Sequence, residues 1–458
     1  MKATRFVAVL LTLGGLYWPA SGYEPVLPKV GKTERIIVVD VAKDVQNDDA
    51  PDVLLAITCL QGLVNRQSTE KIYLVNFPWR LNWDWNKQER FGSVHPAQAV
   101  IDDGLLPFPT DTAKLDPNKR YPALSYLVRR YKDVPKGKVL CPAAGKASSG
   151  ARAAAVNVCT FEGAIALTER LDAYLREEGV NLPLLADTRS MDELAAFDWS
   201  VARYMSHPQR NKQLLGFQGD IGSNTPIMVD YFVATGTFCY FLDTETINDP
   251  EPEDAKFDVL ADVRHYPPGV PHIGPVEGAH VIQRIQKRGH LPVCGFVANG
   301  SVTSSVPTDS QAFRPAESKA HPIENDALYL AWEIHDDGDA LDVNSLVMYG
   351  ALRIDPALGT FPAGVRVNPY LIDLNPALFA WFASRPQTQV VASLTDGGAS
   401  YTPEGQMAWV TTYRRYRAFS NGALQILNFF GPAKKKFIEA LDFPCDGERG
   451  LPSFHSPG

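Results

Sequence analysis

Three aspartates fall within four positions in the C-terminal half of the chain: Asp336, Asp337 and Asp339. They follow an apolar run from Tyr329 to Ile334, and Gly338 allows a sharp turn among them. Carboxylates this close repel one another, and burial raises their pKa values, so a fold accepts them most readily where a cation, a shared proton or a sugar hydroxyl is bound. The pattern fits a ligand site, and it also fits a solvated acidic turn after a strand.

Glycoside hydrolysis is the first chemistry that these carboxylates could support. It requires two carboxyl groups across the scissile bond, one of which is kept protonated by its surroundings. Asp337 and Asp339 are the local catalytic candidates, and Asp396 or Asp243 is the candidate for a more distant partner. Spacing along a sequence does not fix side-chain separation, so acid and base stay unassigned. Tyr401 is a candidate for binding sugar by stacking or through its hydroxyl, or for a loop aromatic that closes the cleft.

A metal-dependent carbohydrate esterase or deacetylase is the first alternative. In such an enzyme, His335, Asp337 and Asp339 would hold a cation that activates water. His335 directly follows the apolar run, which also fits a structural histidine, and we keep it as a substrate-binding candidate. The nine histidines contain no HxxxH pair, which disfavours zinc relative to a hard cation or none. We therefore assign no metal ligand and leave the cofactor unknown. A glycan-binding protein without the acid pair is the second alternative.

Polar residues follow almost every strand that is predicted in the C-terminal half. Asn299 and Asn368 are two of them, and we take both as candidates for substrate binding; Asn299 also begins an Asn-Gly-Ser glycosylation sequon. The predicted strands are Leu214–Phe217, Phe238–Leu242, Pro292–Ala298, Tyr329–Ile334, Ala363–Val367, Gln389–Leu394 and Leu424–Phe429. This series, with its helices, predicts a (β/α) barrel-like domain over residues 213–458, with its active site at the carboxyl ends of the strands. A doubly wound open sheet would gather the same ends.

The N-terminal half has its own alternation of strand and helix. Arg35–Val41 and Lys71–Val75 are predicted strands, and Asp52–Asn65 between them has helical spacing. This order favours a parallel sheet. Farther along, the apolar spacing of Thr160–Glu178 predicts one amphipathic helix. The chain is therefore predicted to be α/β, with an N-terminal α/β layered domain at residues 23–205 and a boundary near Ser206–Lys212.

Length, net charge and the first 22 residues limit the number of domains, the class of partner and the location that we expect for the protein. A chain of 458 residues is too long for one ordinary core, so two domains are expected. The formal charge of −8 argues against nucleic acid as the main partner and is compatible with a carbohydrate. Met1–Gly22 has the charged start, apolar segment and small-residue end of a secretory signal, which predicts cleavage before Tyr23 and a secreted or periplasmic protein. No later run is long and apolar enough to span a bilayer.

Six cysteines follow the predicted signal, and none of them stands in a CxxC pair. This spacing disfavours a structural zinc site. Cys59, Cys239 and Cys294 lie in apolar runs and are expected to be buried thiols. Cys141 and Cys159 flank a stretch of small residues and are the best candidates for a disulfide, which export would permit.

Several short motifs resemble those of the GxGYxYP family, a family of proposed glycoside hydrolases. They are Leu60–Arg66, Val156–Thr160, Asp187–Arg189, Asp337–Asp339, Asn368–Pro369 and Asp373–Pro376. The resemblance covers most of the mature chain, and it implies the family's fold and hydrolysis of a glycan. Two departures stand beside it: Ala340 replaces the asparagine that ends the family's acidic turn, and only Gly397 and Pro403 match the naming motif in register. The departures favour altered specificity or lost activity.

Overall fold

The computed structural model describes most of the chain between residues 25 and 420. The described residues are 25–46, 48–77, 96–145, 148–218, 228–242, 251–276, 279–295, 297–307, 313, 333–334, 348–354, 360, 363–385, 388–392 and 402–420. Within them, strands and helices alternate in an α/β fold with parallel sheets. No helix of this part of the chain is long and apolar enough to cross a membrane.

The described strands are two to six residues long. They are β1 Arg35–Asp40, β2 Glu70–Val75, β3 Thr110–Thr112, β4 Gly137–Leu140, β5 Ala164–Leu167, β6 Leu184–Asp187, β7 Leu215–Phe217, β8 Phe238–Tyr240, β9 Pro271–Gly274, β10 Leu291–Cys294, β11 Glu333–Ile334, β12 Ala363–Val367 and β13 Thr388–Ala392.

Helices follow most of these strands. They are α1 Ala50–Gln67, α2 Pro96–Asp102, α3 Pro122–Arg130, α4 Ser149–Glu162, α5 Glu169–Glu177, α6 Glu193–Tyr204, α7 Val229–Thr235, α8 Glu251–Leu260, α9 Ala279–Gln286, α10 Gly300–Thr303, α11 Tyr349–Ile354, α12 Leu371–Leu374, α13 Pro376–Ser384 and α14 Pro403–Phe419.

The described strands form four sheets, and every pairing between them is parallel. The strand orders are β2-β1-β3, β5-β4-β6, β10-β9-β7-β8 and β11-β12-β13. A closed (β/α) barrel places strands beside each other in chain order, whereas β7 lies between β8 and β9, as in a doubly wound open sheet. The described strands therefore show the α/β class and parallel sheets, and they do not show the barrel.

One predicted helix is wrong in this structure. Thr160–Glu178 is not continuous, because α4 ends at Glu162 and β5 and α5 follow. Gly163 terminates α4 in the left-handed conformation, with φ of 78°. Every residue of β5 is buried, so the strand is a continuous apolar run. Some of these apolar residues happen to fall at positions that extend the helical spacing of α5. Periodicity alone does not separate a fully buried strand from a helix.

The two halves of the chain meet along a buried boundary. Asn157 on α4 donates through Nδ2 to the carbonyl of Cys239 on β8 at 2.8 Å, and its Oδ1 accepts the Cys239 N–H at 2.8 Å. Asn65 on α1 donates to the Ser301 hydroxyl on α10 at 2.7 Å. Each described sheet nevertheless takes its strands from one side of residues 206–212. The predicted domain boundary stays a prediction.

The described cysteines are all buried and free. This confirms the expectation for Cys59, Cys239 and Cys294, and it shows that a bridge between Cys141 and Cys159 is wrong for this structure. The Cys159 thiol on α4 instead lies within hydrogen-bonding reach of the Cys59 thiol on α1, whereas Cys141 directly follows β4. Burial raises the pKa of Cys141 to about 12, so its thiol is inert at neutral pH.

Candidate functional site

The structure places two of the predicted site residues, Asn299 and Asn368. The other six lie outside the described residues: Asp337, Asp339, Asp396, Asp243, Tyr401 and His335. Their assembly into one cleft therefore stays a prediction. What the structure does provide is the direction and register of the strands that precede them.

The strands β11, β12 and β13 run parallel in one sheet. Ile334 pairs with Val365, and Val367 pairs with Ala392, so the carboxyl ends of the three strands share one edge of the sheet. In the sequence, β11 ends three positions before Asp337, and β13 ends four positions before Asp396. Ligands of open α/β sheets bind outside this edge. The described strands thus favour the edge as the candidate site.

Asn368 is the described residue that lies at this edge. It directly follows β12 and is 1% exposed. Its Oδ1 accepts the N–H of Tyr370 at 2.9 Å, and its carbonyl accepts the N–H of Leu371 at 3.0 Å. These bonds form a turn that leads the chain from β12 into α12. Asn368 therefore shapes the sheet edge through its own backbone turn.

Asn299 lies elsewhere and has a different set of contacts. It is 4% exposed and adopts the left-handed conformation, with φ of 56°. Its Oδ1 accepts the N–H of Leu74 at 2.7 Å and Nε2 of Gln61 at 2.8 Å, while its Nδ2 donates to the carbonyl of Leu74 at 2.8 Å. The side chain thereby satisfies the β2 backbone as a neighbouring strand would. Its amide nitrogen is buried and already donates, so the folded protein does not present this sequon for glycosylation.

A buried chain of three titratable side chains escaped the sequence analysis. The Tyr240 hydroxyl lies 2.6 Å from Nδ1 of His272, and Nε2 of His272 lies 2.9 Å from Nδ1 of His290. Burial lowers the pKa of His272 well below its usual value and lowers that of His290 to about 4. Both rings are therefore neutral near pH 7. A search for HxxxH spacing could not find this pair, because the parallel pairing of β9 with β10 brings the two rings together.

Charged side chains also gather near the start of α1. Asp49 accepts a hydrogen bond from the Tyr121 hydroxyl and pairs with Nε of Arg170 at 3.2 Å. Asp52 pairs with Nη1 of Arg152 at 2.6 Å. Arg170 lies on α5 and Arg152 lies on α4, so these ion pairs connect the start of α1 to two other helices. Within the described residues, no group of three His, Cys, Asp or Glu side chains could hold a metal ion.

Comparison with known proteins adds information about the fold. No family model and no curated protein matches the chain. A solved structure does match. It is that of a "putative hydrolase" from Bacteroides thetaiotaomicron VPI-5482, with a TM-score of 0.66 and 20% sequence identity. The match covers 86% of this chain and 70% of the other. At this identity the similarity shows that the two chains share a fold.

Proposed function

We propose that the protein is a glycoside hydrolase whose active site lies at the carboxyl edge of the sheet β11-β12-β13. The parallel direction of these strands is the observation that carries the proposal, because the acidic turn and Asp396 follow two of them in the sequence. The similar solved structure is named a hydrolase, which supports the reaction class. Membership in the GxGYxYP family and closure of the C-terminal half into a barrel are part of this proposal.

The chemistry assigned to the site requires two carboxyl groups with different protonation. One protonated carboxyl gives its proton to the glycosidic oxygen as the C–O bond breaks. The second, ionised carboxylate either activates water or attacks the sugar carbon directly. Asp337 and Asp339 are the proposed local pair, with Asp243 or Asp396 as the alternative second group. Two carboxylates close together shift their pKa values apart, which would supply one acid and one base near neutral pH.

The first prediction concerns the acidic turn. Asp337→Asn and Asp339→Asn change charge with little change in volume, so both proteins should fold and both should lose hydrolysis of aryl glycosides by about 10²–10⁴-fold. Asp336→Asn is the matched control in the same turn and should retain activity. Melting temperatures of all three should lie close to that of the wild type. Full hydrolysis by Asp337→Asn and Asp339→Asn would rule out this turn as the catalytic centre.

Two further measurements separate the alternative functions. Release of acetate from acetylated sugars that stops with a chelator would identify a metal-dependent esterase. Glycan binding by the wild type without hydrolysis of aryl glycosides or of acetylated sugars would identify a binding protein on this scaffold. Either result would replace the glycosidase proposal.

A second prediction concerns export. The order of charged, apolar and small residues in Met1–Gly22 supports a secreted or periplasmic protein. The intact mass of protein recovered outside the cytoplasm should correspond to a chain that begins near Tyr23. A recovered mass that includes Met1–Gly22 would contradict the proposal.

A further inference from the structure

The buried carboxylate of Asp373 joins three segments that are far apart in the sequence. Its side chain is 0% exposed. One oxygen, Oδ2, accepts the backbone N–H groups of Val26 and Leu27 at 2.9 and 3.0 Å and the hydroxyl of Tyr416 at 2.8 Å. Hydrogen bonds to a carboxylate are among the strong ones in proteins. Asp373 therefore ties α12 both to the start of the described chain and to α14.

Residues 25–30 form what we call the N-terminal strap. Lys29 donates through Nζ to the carbonyl of Asp373 at 2.9 Å and lies 3.8 Å from its Oδ1. Burial lowers the pKa of Lys29 more than the Asp373 carboxylate raises it. On another helix, the hydroxyl of Tyr231 donates to the carbonyl of Pro28 at 2.6 Å. The strap is thus held from α12 and from α7 by separate bonds, and its own apolar residues Val26, Leu27 and Val30 are buried.

The same cluster reaches the edge of the sheet where the active site is proposed. Tyr370, whose N–H is held by Asn368, packs edge-on against Tyr416, with ring centroids 5.5 Å apart and an angle of 80° between the rings. The backbone N–H of Asp373 donates to the carbonyl of Tyr370 at 3.0 Å. Tyr416 lies on α14, the helix that follows β13 in the described chain. The cluster therefore connects the turn after β12 to the helix after β13.

We propose that Asp373 is a positioning residue for this sheet edge, and that the N-terminal strap is the brace that it holds. The assignment of the edge as the active site rests on the function proposed above, whereas the brace rests on the contacts alone. Loosening the strap should release Asp373, then the turn at residues 367–371, while the sheets and their cores remain folded. In this proposal the strap supports the site through Asp373 and the turn that follows β12.

The test removes a single hydroxyl. Tyr416→Phe deletes one donor to Asp373 and keeps the ring that packs on Tyr370. Tyr204→Phe is the matched control, since the Tyr204 hydroxyl also donates to a carboxylate, that of Glu162, in the N-terminal half. Tyr231→Phe loosens the strap without touching Asp373. Two properties of each variant are measured. One is the backbone hydrogen exchange of residues 25–30 and 367–371, and the other is steady-state hydrolysis well below the melting temperature.

We expect Tyr416→Phe and Tyr231→Phe to raise exchange in both segments by about 5- to 10-fold, the effect of losing about one hydrogen bond of stability. Tyr204→Phe should leave exchange in both segments unchanged. In hydrolysis, Tyr416→Phe should lower kcat by a similar factor with KM within about twofold, since a displaced sheet edge weakens the transition state more than substrate binding. Asp373→Glu should have a lower kcat than the wild type, because the longer side chain does not keep the three hydrogen bonds to Val26, Leu27 and Tyr416.

The outcomes distinguish the two proposals. Unchanged exchange at residues 367–371 in Tyr416→Phe and Tyr231→Phe overturns the brace, whatever the protein hydrolyses. Raised exchange with wild-type kcat in Tyr416→Phe overturns the positioning role while the glycosidase proposal stands. If the wild type hydrolyses no glycoside, the proposed function fails, and exchange alone then supports or overturns the brace.

Discussion

At the scale of single residues, the chain Tyr240–His272–His290 shows how burial decides protonation. The rings lie in a layer of aromatic side chains, and Tyr240 packs edge-on against Phe257 of α8 with ring centroids 6.1 Å apart. Arg288 is the charge that acts on His290, and it lowers the pKa further. The carboxylates of Asp254 and Asp258 on α8 pair with Arg288. No attractive charge therefore compensates a proton on His290 in the described surroundings.

A third prediction follows from this depressed pKa. Between pH 6.5 and about 4 the unfolded chain binds a proton at His290 and the folded chain does not, so the free energy of unfolding falls as the pH falls. The loss for His290 should reach about 3 kcal/mol at the acid end, since each pKa unit corresponds to about 1.4 kcal/mol. Urea unfolding across this pH range measures it. His290→Gln should make the slope shallower by the contribution of His290, while His272, whose pKa burial also lowers, keeps its own contribution.

Tyr240→Phe provides the control for that measurement. It removes the hydroxyl at one end of the chain and leaves both imidazoles, so it should lower stability by a similar amount at each pH and keep the slope. A wild-type protein whose stability is constant from pH 6.5 to 4 would contradict the prediction.

At the scale of elements, the close approach of β9 to β7 explains why residue 274 is a glycine. Gly274 ends β9 with φ of 146°, and a Cβ atom there would lie 2.0 Å from the carbonyl oxygen of Phe217 at the end of β7. Real Cβ atoms do not approach an oxygen so closely, so any side chain would push the two strand ends apart. These strands lie beside each other at the point where the order of the sheet reverses.

The fourth prediction compares two glycines in this region. Gly274→Ala should lower the free energy of unfolding by roughly 3–5 kcal/mol, from backbone strain together with the clash. Gly269→Ala should lower it by only about 1–2 kcal/mol, because Gly269 also has a positive φ, of 85°, but open space around its Cβ position. Chemical denaturation of both variants measures the difference. Equal losses would show that the approach of β9 to β7 does not restrict this position.

An element could be predicted from the sequence where its own residues favour it, and not where pairing with other strands creates it. Ala363–Val367 is a strand at its predicted residues, and α1 forms where helical spacing predicted it. β9 escaped prediction because its four residues include a proline, a histidine and a glycine and have little strand character alone; pairing with β7 and β10 makes them a strand. The site was predicted only as a set of strand ends, since the distances between side chains on different strands arise from tertiary structure.

At the scale of the whole molecule, the boundary between the two halves is built from buried asparagine and glutamine side chains. Asn65, Gln61 and Asn157 each bond a residue of the C-terminal half, and all three are 0–1% exposed. A buried amide that loses its partner costs about 1–3 kcal/mol. Separation of the halves would leave these groups unsatisfied together with the apolar surface beside them. The contacts therefore couple the stability of the two halves.

The fifth prediction tests that coupling. The full-length protein should unfold in one cooperative transition, with the same midpoint by tryptophan fluorescence and by far-UV circular dichroism. Residues 25–205 expressed alone should aggregate or remain molten, because α1 and α4 would expose the surface that they bury against the other half. A monomeric, folded fragment with sharp NMR signals would show instead that the halves are independent. Asn157→Ala removes the two hydrogen bonds to the backbone of Cys239 across the boundary, so it should lower the shared midpoint.

The bond between Val26 and Asp373 also sets an order of events during synthesis. These two residues are 347 positions apart, so the strap leaves the ribosome long before its acceptor exists. At 5–20 residues per second the interval is roughly 20–70 s. Throughout it, an early segment with buried apolar residues must stay unpaired, and it reaches its place only when nearly the whole chain is available. The first described residues to be made are therefore among the last to be fixed, which gives chaperones a period in which this segment is still accessible.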